Sequence, residues 1–97
     1  MPAHTQEIAG ELGRYVTLLK KSLEDVRGKL GRVKADIRLE NIEAELLLAL
    51  SAEEQAALHP FMSALNLVEL KAERQLLVAQ QDALMKAIGL VEAKLNG

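Results

Sequence analysis

The sequence contains no cysteine and no tryptophan, only two aromatic residues, Tyr15 and Phe61, and only two prolines, Pro2 and Pro60. Without cysteine there are no disulfide staples and no thiolate nucleophile, and the soft ligand of most structural zinc sites is missing. With two rings there is no series of platforms on which nucleobases could stack. Nor are there the bulky aromatic anchors that hold a basic amphipathic helix at a membrane surface. Long apolar runs are absent as well. The densest, Leu46 to Leu50 and Leu76 to Ala79, are short and flanked by charges, far below the ~20 residues that cross a bilayer, so no transmembrane segment is expected. The opening Met1-Pro2-Ala3-His4-Thr5 has no basic stretch followed by an apolar one, so no cleavable signal is read and cytoplasmic residence is the default expectation.

What is present is aliphatic. Hydrophobic residues make up 49% of the 97, almost all Leu, Ala, Val and Ile, which is the composition of helix seams and not of a mixed sheet core. From residue 7 to 49 the apolar positions repeat every seven residues. Position a falls on Ala9, Val16, Leu23, Leu30, Ile37 and Ala44, and position d on Leu12, Leu19, Val26, Val33, Glu40 and Leu47, so that only Glu40 is polar. Six heptads of this kind predict one long helix packed in coiled-coil fashion on another. Gly10, Gly13, Gly28 and Gly31 all fall outside the seam, each costing about 1 kcal/mol relative to alanine. Gly28 and Gly31 mark the predicted weak point, read first as part of an exposed face and second as a hinge or a close helix approach.

Leu50-Ser51-Ala52-Glu53-Glu54 has the form of a capping box, in which Ser51 and Glu54 each satisfy the other's backbone amide. A new helix is therefore predicted to start at Ala52, and a linker this short turns it back along the first. Pro60 removes a helical hydrogen bond, and it biases His59 away from helical angles. The preferred reading is a short helix over 52–58 and a long one over 60–95 starting at Pro60; the alternative is one kinked helix. The second long helix carries two apolar stripes. One runs Phe61, Leu65, Val68, Ala72, Leu76, Ala79, Ala83, Ala87 and Leu90. The other runs Leu67, Leu70, Leu77, Leu84, Ile88, Val91 and Leu95, with Arg74 and Gln81 interposed. One partner helix covers one stripe, so the other needs a further surface. Arg74 and Gln81 either fix register as buried polar groups or reach water past their own stems.

Charge is uneven. Residues 14–38 carry eight bases against three acids, while residues 40–54 carry five acids and no base. The basic block could neutralise phosphates, but the chain is acidic overall with pI about 5.7 and offers no recognition helix after a short turn. Pairing of Lys20 with Glu24, Lys21 with Asp25, Asp25 with Lys29, and Arg32 with Asp36 on a solvated face is the simpler expectation. The chemistry of an enzyme is thin. The hydroxyls are Ser22, Ser51, Ser63, Thr5 and Thr17, and the imidazoles are His4 and His59. Of these, Ser51 is already a cap, and His59 with Ser63 four residues on is a common surface spacing. Neither histidine has a glutamate three residues before it, as a ferritin-like site requires, and Gly28-Lys29-Leu30-Gly31 lacks phosphate-loop spacing.

The prediction is thus a single all-α domain over 1–97: an antiparallel helical hairpin of about 7–49 and 60–95 with a short helix at 52–58. It dimerises into a four-helix bundle or coiled coil, is not an enzyme and has no cofactor or metal. Its expected function is that of a self-associating adaptor or scaffold that binds another protein through apolar helix faces. A small secretion or assembly chaperone, a secreted hairpin component, and a nucleic-acid binder using 14–38 are the alternatives. Leu23, Leu30, Ile37, Leu77, Leu84 and Ile88 are expected to be buried in the assembly. The expected interaction residues are Leu46, Leu50, Phe61 and Leu65 near the turn and Leu70, Leu77, Leu84, Ile88 and Val91 along the second helix.

Overall fold

The computed structural model describes the backbone of residues 2–97 and the side chains from residue 8 onward. Helix α1, Pro2–Leu48, is a single unbroken helix, about 70 Å long at 1.5 Å per residue. It begins earlier than the expected residue 7, with proline in the first turn, where its missing amide costs nothing. Helix α2, Ala52–Leu58, has the predicted bounds. A single 3-10 turn, His59–Phe61, and an irregular stretch over 62–66 lead into helix α3, Leu67–Asn96.

The predicted capping box forms: Ser51 Oγ accepts from the Glu54 amide at 3.2 Å, and Glu54 Oε1 accepts from the Ser51 amide at 3.0 Å. Gln55 completes the corner. Its Nε2 donates to the carbonyls of Leu47 at 2.7 Å, at the end of α1, and of Leu50 at 3.2 Å, in the turn beyond it, so the side chain ties α2 to the corner. The expected start of the second long helix at Pro60 needs correction, because α3 begins at Leu67. Pro60 sits in the 3-10 turn, and the N-cap is Asn66, whose Oδ1 accepts from the amides of Val68 at 2.9 Å and Glu69 at 3.2 Å. Proline suits a first turn, but a side chain that takes two orphan amides marks where the long helix starts.

Helices α1 and α3 pack antiparallel. The buried residues are Val16, Leu23, Leu30, Val33 and Ile37 from α1 and Leu70, Leu77 and Ile88 from α3, so the heptad seam of α1 meets the second stripe of α3. Leu12, Leu19, Val26, Leu67, Leu84 and Val91 are half-buried along the same line, whereas Ala9 and Ala44 are exposed. Arg74 and Gln81 are half-buried in the seam, and among the described residues no buried side-chain nitrogen or oxygen lacks a partner. Their polar ends therefore reach solvent past the apolar stems, as long amphipathic side chains do. Gly28 and Gly31 lie in an exposed stretch of α1 that stays helical, with open space where a Cβ would stand.

The result is a rod, 78 × 18 × 14 Å, with a radius of gyration of 21.9 Å, where a compact chain of this length has about 12.5 Å. Its accessible surface is 7430 Å², against roughly 5,500 Å² for a compact monomer of its mass. Every buried residue retains some exposure. Two helices supply one layer of contact, and one layer cannot enclose a side chain completely.

Candidate interaction surfaces

Among the described residues, apolar or charged groups converge on the outer face of α3, at the tip around α2, and at the far end between Ile8–Leu12 and the end of α3.

On α3 the seam consumes one stripe and leaves the other facing out. Val68 is 77% exposed, Leu76 58% and Leu90 60%, and Ala72, Ala79 and Ala83 are exposed between them. All six fall within one side of a helix that advances about 100° per residue, a side that the exposed Lys86 shares. The cost of leaving them in water makes this face the obvious candidate for a contact.

At the tip, Leu50, Ala57, Leu58 and Phe61, with Glu54, line an almost wholly apolar hollow of about 370 Å³. Phe61 is 84% exposed and Leu48 beside the corner 89%. The hollow is formed by α2 and the 3-10 turn beside Leu50. Of the five acids of residues 40–54, Glu54 lines it. Two of them explain the single polar seam position. Ser63 donates its amide to Glu43 Oε1 at 2.9 Å, and its hydroxyl lies 2.7 Å from Glu43 Oε2 and 3.1 Å from Glu40 Oε2. At this level α1 faces the 62–66 stretch and not a helix, so acceptors for a loop amide and hydroxyl serve where leucine would not. The Ser63 hydroxyl, followed by its amide, holds the Glu43 carboxyl below the usual carboxylate range, against a smaller opposing effect of burial. In the capping box the Ser51 amide does the same for Glu54, with its hydroxyl second. Ser63 is thus tied to the acids, in the irregular stretch after the 3-10 turn that holds His59. Among the described residues, no group of three or more His, Asp or Glu could hold a metal ion.

At the far end, Ile8, Ala9 and Leu12 of α1 and Lys94, Leu95 and Gly97 line a cleft of about 280 Å³. The side chains of His4 and Thr5 lie outside the described residues. Between the ends, all eight bases of 14–38 are exposed. They occupy five of the seven heptad positions and so ring the helix without forming a stripe. Their expected pairing along α1 is not made. Among the described residues the ion pair within 4.0 Å is Lys20 with Glu92 across the hairpin, at 3.7 Å. Exposed i, i+4 pairs gain only ~0.3–0.5 kcal/mol, too little to fix two long side chains.

The expected interaction residues divide accordingly. Leu50 and Phe61 come together in the tip hollow, Leu46 is exposed on α1, and Leu65 is half-buried against the core. Leu70, Leu77 and Ile88 are buried between α1 and α3, with Leu84 and Val91 half-buried there. Those five serve the hairpin itself, and the exposed apolar residues of α3 are Val68, Leu76, Val78, Met85, Leu90 and Leu95. Periodicity lists both stripes but cannot say which one the first helix takes. No helix among the described residues is long and apolar enough to cross a membrane. The architecture is that of an all-α helical hairpin. No protein-family model, curated protein or solved structure matches the chain.

Proposed function

We propose that this chain is a non-enzymatic protein-interaction module: a helical hairpin that self-associates and binds another protein through apolar helix surface. The observation that carries this reading is the outer stripe of α3, with Val68, Leu76 and Leu90 each more than half exposed. A rod with about one-third more surface than a compact chain of its mass has little core of its own, and contact with a neighbour is the ordinary remedy. The tip hollow, lined by Leu50, Ala57, Leu58 and Phe61 with Glu54, offers a second apolar surface, which suits an apolar side chain from a different protein.

Light scattering at several concentrations tests the reading, on the wild type and on Leu76→Glu, with helicity followed by circular dichroism. A wild-type dimer and a folded Leu76→Glu monomer are expected. A wild type that is monomeric at every concentration would remove self-association and leave only a partner of different sequence.

The exposed bases of 14–38, of which Lys20 is paired with Glu92, favour nucleic-acid binding as a second reading. Such binding would appear at low salt and weaken steeply as salt rises, and a chain that shifts no oligonucleotide at low salt would exclude it.

A further inference from the structure

Resting on that reading, we infer that the occupant of the α3 stripe is a second copy of this chain, packed antiparallel about a two-fold axis near Ala79. The stripe is self-complementary in that orientation. An axis at Ala79 sets Val68 opposite Leu90 and Ala79 opposite itself, brings Leu76 to within one residue of the level of Ala83, and sets Ala72 opposite Lys86. Leu76 thus meets an alanine, Lys86 lies over Ala72 with its stem on the stripe and its ammonium reaching the rim, and the ends close with a valine and a leucine. This is the alternation by which two helix faces interdigitate without voids. A parallel pairing in register would instead set Leu76 on Leu76 and leave the alanine levels as gaps.

Charge chooses the same orientation. Glu69 and Lys94 stand on the same edge of the stripe, and the antiparallel axis brings each to within five residues, about 7.5 Å along the helix, of the other across the pair. At longer range, Lys20 is at the level of Glu92, and Glu40 and Glu43 at the level of Ser63. Reversal about Ala79 therefore places the acidic end of one hairpin alongside the basic stretch of the other. Like-end association would stack acidic tip on acidic tip, and complementary fields of this kind steer and orient an encounter most strongly at low salt. The stripe is about 33 Å long and one helix wide, less than the ~800 Å² per partner of a standard interface, so the dimer is concentration-dependent.

The absence of cysteine makes single-cysteine crosslinking direct. Ala79→Cys, Val68→Cys and Leu90→Cys, all at exposed positions, are treated with a short bis-maleimide, singly and as a mixture of the Val68→Cys and Leu90→Cys chains. The expected pattern is covalent dimer from Ala79→Cys alone, none from Val68→Cys or Leu90→Cys alone, and dimer from their mixture. Covalent dimer from Val68→Cys and Leu90→Cys each alone indicates parallel pairing and overturns the inference. A wild type that scatters as a dimer but crosslinks through none of these positions overturns it as well, while self-association by another face stands. A wild type that is monomeric at every concentration sinks both the inference and the self-association on which it rests.

Discussion

Replacing Gly28 and Gly31 together by alanine should stabilise the hairpin by about 2 kcal/mol. Both residues lie well inside α1, both are exposed, and a Cβ built at either meets no heavy atom within 4 Å. The added methyl groups therefore displace nothing. What changes is the freedom lost on folding, which glycine pays at about 1 kcal/mol more than alanine per helix-interior position. For a domain of this size each kcal/mol shifts the melting temperature by roughly 4–8 °C, so the double variant should melt roughly 8–16 °C higher. Urea denaturation followed by circular dichroism gives the free energy. Protein concentration is held fixed, because a self-associating chain is stabilised by mass action, and an unchanged slope confirms that the same surface is exposed on unfolding. A neutral or destabilising result would refute the argument. It would mean that something occupies the space beside Gly28 and Gly31 in solution, as a close approach of another helix to this face of α1 would require.

Three further outcomes follow from single contacts. Asn66→Ala should cost about 1 kcal/mol in the same denaturation assay, since it removes the acceptor for the Val68 and Glu69 amides; an unchanged midpoint would mean that α3 starts elsewhere. Leu77→Ala, at a position 5% exposed, should cost about 2–5 kcal/mol. Leu76→Ala, one residue away but 58% exposed, should leave the unfolding of dilute protein within about 0.5 kcal/mol, and equal effects would place the seam wrongly. Glu43 and Glu54 have lowered pKa values in the folded chain, so the stability they contribute is present above the ordinary carboxylate range and is lost as pH falls through their folded values. Ser63→Ala and Ser51→Ala should each flatten the loss of stability between neutral and acid pH, and a slope unchanged in both would show that these hydroxyls do not hold the carboxylates.

The sequence by itself determined the hairpin. Six heptads ending in a capping box leave few alternatives to a long helix, a corner at Ser51 and a helix returning, because apolar period, cap chemistry and linker length are local properties that act before any distant contact forms. It also marked Leu23, Leu30, Ile37, Leu77 and Ile88 as buried, since all of them sit on seam positions. The start of α3 was written in Asn66 and was outweighed by the more conspicuous Pro60, whose ring tolerates a first turn of either kind. Other features needed the tertiary structure. Glu40 reads as a defect in the seam until Ser63 stands opposite it, because the loop that supplies the amide and hydroxyl lies more than twenty residues away. Gln55 has no helical motif to announce that it caps the end of α1. Above all, α3 carries two stripes of comparable apolar character, and only the packing against α1 decided that Leu70, Leu77 and Ile88 turn inward while Val68, Leu76 and Leu90 face out. The physical reason is bulk: the second stripe fills the volume between two helices with leucine and isoleucine, whereas the alanines of the first would have left that seam half empty.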